Sequence, residues 1–159
     1  MSRLPVCLFI LLAWSAIRLN AADEPKVEMS KQEKEILELT NKEREKEKLP
    51  PLEPDPLLFK AARAHSANMA KQDKMEHILD DKNPGQRVED AGYKWMNVGE
   101  NIAATDNEPA TAIVKLWMDS KLHKANILNK DFRHIGIGIA KNDKGETYYT
   151  QVFASPLKK

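Results

Sequence analysis

The chain has 159 residues, of which 42% are hydrophobic and 31% charged, and these values indicate one domain with a packed core rather than a disordered chain. Basic and acidic residues number 25 and 24. This near balance excludes nucleic acid as the main partner, and it does not favour a membrane surface in that role.

The N-terminal segment has the pattern of a secretory signal peptide. The basic start "MSR" precedes an apolar run, residues 4–17, that is too short to span a bilayer comfortably. Small residues follow, and we predict residues 1–21 as the signal peptide, which places the mature protein outside the cell or in the periplasm without stable membrane insertion. An uncleaved N-terminal anchor is the alternative. Cleavage would remove Cys7, the only cysteine, and with it any disulfide, cysteine nucleophile or thiolate metal ligand.

The first two helices are delimited by capping residues and prolines. Ser30 opens a capping box, with a glutamate three residues later, at the start of a helix over residues 30–48. The charged second half of that helix is typical of a solvated face. The following "LPPLEPDP" is expected to be extended because proline blocks helix formation. Asp55 then caps a second helix that has Pro56 in its first turn.

The middle of the chain is predicted to contain loops and two more helices. Residues 84–91 form a short helix that Gly92 ends. The segment "MNVGENIAATDNEP" is expected to be a loop with at most a short strand. The next helix starts at Pro109, and "KLHKANILN" is predicted to add one further turn to it. The predicted buried face of this helix consists of Ile113, Leu116 and Trp117.

The C-terminal part is predicted to be a β-hairpin. "HIGIGIA" (residues 134–140) is apolar on both faces, which is typical of a central strand, and its glycines indicate a closely packed neighbour. "TYYTQVFA" is the returning strand. Helices around such a hairpin predict an α+β fold, a three-layer α-β-α sandwich with a small, largely antiparallel central sheet. We predict a flexible lead-in at residues 22–30, one domain at 31–155 and a tail at 156–159.

Candidate site residues are few. His65 lies mid-helix among alanines and His134 precedes the central strand, and both are interpreted as structural. His77 and His123 lie in loop-like or helix-end segments, where sites usually occur. Glu100 stands among small and apolar residues, so it either points to water or is used. A zinc site with these two histidines and this glutamate as ligands would leave one position open, but the long gaps between them leave the question unresolved.

Three segments carry a resemblance to a known family. "NVGENIA", "LWMDSKLHKANILNKDFRHIGIGIA" and "YYTQVFA" closely resemble the bacterial branch of the CAP superfamily, which comprises the cysteine-rich secretory proteins, antigen 5 and the plant pathogenesis-related 1 proteins. The segment "NKEREKEKLPPLEPDPLLFKAARAHSANMAKQDKMEH" fits the opening of the same family. The resemblance covers about residues 32–154. It implies the same α-β-α sandwich that the pattern of elements predicts.

The resemblance also implies a cleft lined by two histidines and two acidic residues. The histidines correspond to His77, in "DKMEH", and His123, in "SKLH", and the first acid corresponds to Glu100, in "GEN". The second acid of the eukaryotic members lies three residues after a helix tryptophan, here Trp117, and that position holds Ser120. Many bacterial members resemble this chain in having serine there. The "SKLH" segment departs from the usual bacterial Ser-Pro-Gly-His.

These residues suit three kinds of function. The first is an exported, monomeric binding module whose cleft holds zinc or another divalent cation, or a lipid-like or peptide-like ligand. The second is a hydrolase of peptide or cell-wall bonds, in which Glu100 or His123 activates water directly or through a metal. The third is a structural envelope protein with a vestigial cleft. The absence of a clear nucleophile with its base favours the binding module.

Overall fold

The computed structural model of the protein describes residues 27–157. The predicted signal peptide, residues 1–21 with Cys7, therefore lies outside the described residues. Val27 and Met29, from the predicted lead-in, pack against the core ahead of the first helix. No helix in the described part is long and apolar enough to cross a membrane.

The described residues form five helices and four strands. The helices are α1 (Lys31–Lys46), α2 (Pro56–Gln72), α3 (Pro84–Ala91), α4 (Ala110–Asp119) and α5 (Lys121–Ile127). The strands are β1 (Glu53–Pro54), β2 (Trp95–Thr105), β3 (His134–Lys141) and β4 (Thr147–Pro156). They form one sheet in the order β1-β3-β4-β2, which is antiparallel except for the short β1–β3 pair. The predicted small, largely antiparallel sheet is confirmed.

Helices cover both faces of this sheet. On one face, α1, α4 and α5 pack against side chains of β3 and β4 that include Ile135 and Phe153. On the other face, α2 and α3 pack against Val152 and Ala154 of β4. The predicted α-β-α sandwich is confirmed, and the functional question becomes which side chains the layers bring to the edge of the sheet.

The glycines of β3 let α2 lie directly on the strand. A methyl group placed on Gly136 would lie 2.1 Å from the backbone carbonyl carbon of Leu58, and one on Gly138 would lie 2.3 Å from that of Ala62. No side chain larger than hydrogen fits at either position, so the predicted close approach is confirmed. The contact fixes the height of α2 above the sheet, and with it the position of every residue that α2 presents to the core.

The predicted caps hold the ends of the helices. Ser30 Oγ accepts a hydrogen bond from the backbone N–H of Glu33 at 3.2 Å. Asp55 Oδ1 accepts from the backbone N–H groups of Leu57 and Leu58 at 2.8 and 3.1 Å. Gly92 ends α3 with a φ of 103°, a conformation that favours glycine. These contacts confirm the predicted starts of α1 and α2 and the predicted end of α3.

The expectation of a loop with at most a short strand in "MNVGENIAATDNEP" is wrong. Residues 95–105 form a continuous strand of 11 residues, paired with β4 along nearly its whole length. Asparagine, glycine and glutamate have low strand propensity, and that signal misleads here because pairing with β4 overrides it. Glu100 and Asn101 are buried in this strand through the polar partners described below.

Two further expectations about the second half of the chain are wrong. Leu116 does not belong to the buried face of α4, because it is 44% exposed and Val114 takes its place in the core. Residues 121–127 do not extend α4 by a turn. They form a separate helix, since Ser120 has an extended backbone with a ψ of 124°.

Trp117 is the largest fully buried side chain, and its Nε1 donates to the carbonyl oxygen of Ile102 at 3.2 Å. We predict that Trp117→Ala lowers the free energy of unfolding by roughly 3–5 kcal/mol, because it leaves a large cavity beside β2. Leu116→Ala, the matched control one residue away, should cost less than about 1 kcal/mol. Urea unfolding measures both, and similar losses in the two variants would contradict the placement of α4.

Candidate functional site

The candidate site lies at the free edge of β2, where the two helical layers meet. Glu100 and Asn101 are adjacent in the strand and therefore point to opposite faces of the sheet. Asn101 Nδ2 donates to the carbonyl oxygen of His123 in α5 at 3.1 Å. Asn126 Nδ2 donates to Asn101 Oδ1 at 2.9 Å and lies 3.1 Å from the carbonyl oxygen of Glu100. These bonds attach α5 to the backbone of Glu100 and to the side chain of Asn101.

Glu100 is buried, and both of its carboxylate oxygens have partners. Oε1 lies 2.9 Å from Nδ1 of His77, and Oε2 accepts from Nη2 of Arg87 at 2.7 Å. Oε1 also lies 3.7 Å from Nε2 of His65. Of the two alternatives given for this residue, pointing to water is wrong, and a functional use stays a prediction. The charge is compensated by Arg87, as a buried carboxylate requires.

Arg87 connects this carboxylate to the segment that carries His77. Its Nη1 donates to the carbonyl oxygen of Lys82 at 2.6 Å, while its Nη2 binds Glu100. Sequence reasoning missed Arg87, because an arginine on a short helix is usually a surface residue. The available signal was its position four residues before Ala91, which is buried on the same helix.

The segment after α2 that carries His77 is anchored on both sides. Leu79 is buried in a cluster with Met69 of α2 and Ile102 of β2. Asp80 accepts hydrogen bonds from Asn68 Nδ2 at 2.8 Å and from Gln72 Nε2 at 3.0 Å. His77 itself stays 49% exposed at its side chain, and within residues 27–157 its Nε2 makes no hydrogen bond.

His123 faces the site from α5. Its Nδ1 is buried and has no hydrogen-bond partner within residues 27–157. Burial lowers the pKa of His123, and the neighbouring imidazole of His77 lowers it further, which favours the neutral ring of His123 at neutral pH. His77 contacts Glu100 directly, whereas His123 is linked to β2 through the hydrogen bond from Asn101 to its carbonyl oxygen.

Ser120 occupies the junction between α4 and α5. Its N–H donates to the carbonyl oxygen of Trp117 at 3.2 Å, and its own carbonyl oxygen accepts from Lys124 at 2.8 Å. Its hydroxyl group caps neither helix. A role for this hydroxyl in the cleft stays a prediction.

The other two histidines differ from each other. His65 is buried in α2, and within the described chain neither of its ring nitrogens makes a hydrogen bond. Burial lowers the pKa of His65 to about 4. The charge of Glu100 opposes this shift, and the charge of Arg87 adds to it. His65 is a core residue, as expected, but its distance from Glu100 also makes it part of the site. His134 Nδ1 instead lies 2.7 Å from the hydroxyl group of Tyr93.

The side chains of the site suit a cation held by the imidazoles of His77 and His123 better than one that Glu100 also binds. In the part of the chain that is described, no group of three or more His, Cys, Asp or Glu side chains could hold a metal ion. Glu100 already has partners at both oxygens. A three-ligand site of His77, Glu100 and His123 therefore stays a prediction. The free Nε2 of His77 and the unpartnered imidazole of His123 are the groups that fit a cation.

Comparison with known proteins gives a consistent family match. The profile of the Cysteine-rich secretory protein family, CAP, matches residues 37–153. The uncharacterized protein YkwD of Bacillus subtilis is 36% identical over 140 residues, which are 87% of this chain and 53% of that protein. The chain thus spans about half the length of this relative.

Solved structures give the same result. An extracellular protein containing an SCP domain from Bacillus anthracis superposes with a TM-score of 0.71 at 30% identity, over 78% of this chain and 40% of that chain. NaASP2 with Zn²⁺ superposes with a TM-score of 0.57 at 15% identity, over 80% of this chain and 85% of that chain. The second likeness concerns the fold alone.

The burial of His65 predicts a pH dependence of stability. Its pKa is about 4 in the folded protein and about 6.5 in an unfolded chain, so the unfolded state binds more protons between these values. Above about pH 6.5 His65 is neutral in the folded and the unfolded protein. As the pH drops from about 6.5 to about 4, the unfolded chain takes up the proton first, so the free energy of unfolding falls. The free energy of unfolding of the wild type, relative to His65→Gln, should fall by roughly 2.5 kcal/mol from pH 8 to pH 4.5.

Urea unfolding of the two proteins at several pH values measures this difference. Glutamine does not titrate, so pH effects of the carboxylates cancel in the comparison. A difference that stays constant across the window would contradict the depressed pKa of His65.

Proposed function

The chain belongs to the cysteine-rich secretory protein (CAP) family, and on that premise we propose that it is an exported binding domain whose cleft holds a divalent cation weakly. The observation that carries the proposal is the contact between buried Glu100 and Nδ1 of His77. An ionised carboxylate only accepts hydrogen bonds, so the ring proton is on Nδ1 and the lone pair of Nε2 is free for a cation. Glu100 acts in this proposal by orienting His77.

His123 supplies the second imidazole of the proposed site. A metal-ligating imidazole must be neutral, and burial keeps His123 neutral. Imidazole suits zinc and related transition-metal ions. Two protein ligands bind less tightly than the three or four of most zinc sites, so the affinity should be low. A bound ion would offer its remaining positions to water or to an anionic group of a peptide-like or lipid-like ligand.

Export rests on the N-terminal sequence and on one relative. Residues 1–21 have the pattern of a signal peptide. The similar Bacillus anthracis protein is described as extracellular. We propose that this protein also acts outside the cytoplasm, secreted or in the periplasm, and as a monomer. The crystallisation of NaASP2 with Zn²⁺ supports zinc as the first cation to test.

The contacts favour binding over hydrolysis. A general base needs a free oxygen within reach of water, and both oxygens of Glu100 are engaged in a buried position. An activated serine nucleophile requires a base hydrogen-bonded to its hydroxyl group. Within residues 27–157 no histidine makes this bond to Ser120.

We predict that the exported protein binds zinc in calorimetric titration at about pH 7.5, and that His77→Ala and His123→Ala each weaken this binding by about tenfold or more. His134→Ala is the matched control, because that histidine bonds Tyr93 away from the cleft and its loss should leave the affinity unchanged. Affinity should be lower at about pH 5.5 than at about pH 7.5, because protons compete with the metal for the imidazole nitrogens.

Ser120→Glu tests the fourth position of the cleft in the same titration. A carboxylate there should tighten zinc binding by about tenfold, which corresponds to about 1.4 kcal/mol, and His77→Ala should abolish that gain. If neither cleft histidine affects binding more than His134 does, the cleft is not a metal site.

A further inference from the structure

Two residues around Glu100 have buried polar atoms that lack a hydrogen-bond partner. Within residues 27–157, six buried side-chain nitrogen or oxygen atoms are in this state. Three of the six are both ring nitrogens of His65 and Nε of Arg87. Because buried polar groups are almost always hydrogen-bonded, two such residues around one carboxylate indicate that a binding partner completes them.

Both residues line a cavity between α2 and α3. Its volume is about 280 Å³, which is near the lower limit for sites that bind small molecules. Three small apolar residues contribute to its wall, Ala61, Ala64 and Ala91. His65 is only 1% exposed, whereas Ala64, its neighbour in α2, lies at the surface. The cavity thus combines an apolar wall with buried polar groups that have no partner.

The charges around this cavity do not select an ionic ligand. Arg87 is paired with Glu100 at 2.7 Å, and Lys82 is paired with Asp90 at 2.6 Å. Lys60 is a further cation of the lining. Exposed acids follow on the neighbouring segments, at Asp80, Asp81 and Glu89. Since cations and anions balance here, the hydrogen-bonding groups determine which ligand fits.

We propose that this cavity binds the neutral amide group of a small molecule with a short apolar body. Nε of Arg87 can only donate, so its partner must be an acceptor such as a carbonyl oxygen. Burial lowers the pKa of His65 to about 4, so its ring is neutral and offers one donor and one acceptor. A secondary amide has the complementary pair, an N–H and a C=O.

A carboxylate ligand fits the same cavity less well. It can only accept hydrogen bonds, so it would leave the acceptor nitrogen of His65 without a partner. It would also place a second negative charge close to buried Glu100, whose Oε1 lies 3.7 Å from Nε2 of His65. The amide proposal goes beyond cation binding and does not rest on it, because neither His77 nor His123 lines this cavity.

The test is a titration of the exported protein with N-isobutylacetamide, followed in ¹H–¹⁵N NMR spectra of the arginine Nε–H groups. We expect saturable binding with a Kd on the order of 1 mM and a shift of the Arg87 signal. Arg44 is the control in the same spectra, because its Nε already donates to the carbonyl oxygen of Pro50 at 2.9 Å and its signal should not move. The isosteric carboxylate, 4-methylpentanoate, should bind at least about tenfold more weakly.

Ala64→Leu should weaken amide binding by about tenfold or more, because the larger side chain fills the cavity from its exposed wall. Ala67→Leu is the matched control. Ala67 is also an exposed residue of α2, but it does not line this cavity, so the affinity should be unchanged. His77→Ala, or a chelator, should leave amide binding unchanged, which separates this proposal from the zinc site.

N-acetylleucine methylamide, which carries a second amide, identifies the source of the group. Tighter binding than that of N-isobutylacetamide would support an amide from a peptide, and weaker binding would support one from an N-acylated amine. Absence of binding by both amides would overturn the proposal. Equal affinity for amide and carboxylate, equal losses in the two alanine variants, or an unmoved Arg87 signal at saturation would overturn it as well.

Discussion

The ion pair between Glu100 and Arg87 is the contact on which the rest of the site depends. An isolated carboxylate buried at the edge of a sheet would cost several kcal/mol, and Arg87 offsets that cost with a bond of 2.7 Å. The same guanidinium binds the carbonyl oxygen of Lys82, so it also holds the segment that presents His77. Through the side chain of Arg87, α3, β2 and the segment after α2 become one unit, and the other carboxylate oxygen of Glu100 binds His77.

The packing of α2 on β3 also determines the surroundings of Glu100. Because Gly136 and Gly138 admit the backbone of α2, His65 reaches a position 3.7 Å from Glu100 without a polar partner of its own. On the other face, Asn101 and Asn126 attach α5 to β2. The cleft is thus assembled from both helical layers around an edge strand, and neither layer contains it alone.

Local signals in the sequence predicted much of the fold. Ser30, Asp55 and Gly92 act at short range, so their roles as caps could be read directly. The glycines of β3 and the burial of Trp117 followed from periodicity and residue size. The resemblance to the CAP superfamily indicated which histidines and which glutamate to examine.

The rest depends on contacts between residues far apart in the chain. The strand β2 has polar residues with low strand propensity, and it exists because β4 pairs with it. Arg87 and His65 belong to the site only through Glu100, which is 13 residues from the first and 35 from the second in the chain. The exposure of Leu116 depends on how α4 docks, which hydrophobicity alone does not determine.

The central claim is that Glu100 holds the ring proton of His77 on Nδ1 and leaves Nε2 free. Long-range ¹H–¹⁵N NMR spectra of the histidine side chains, recorded at about pH 8, distinguish the two neutral tautomers directly. The account predicts that His77 has a protonated Nδ1 and an unprotonated Nε2 in the wild type. A neutral ring protonated at Nε2 would contradict it, because Nδ1 would then have no proton to donate to the carboxylate and Nε2 would have no lone pair for a cation.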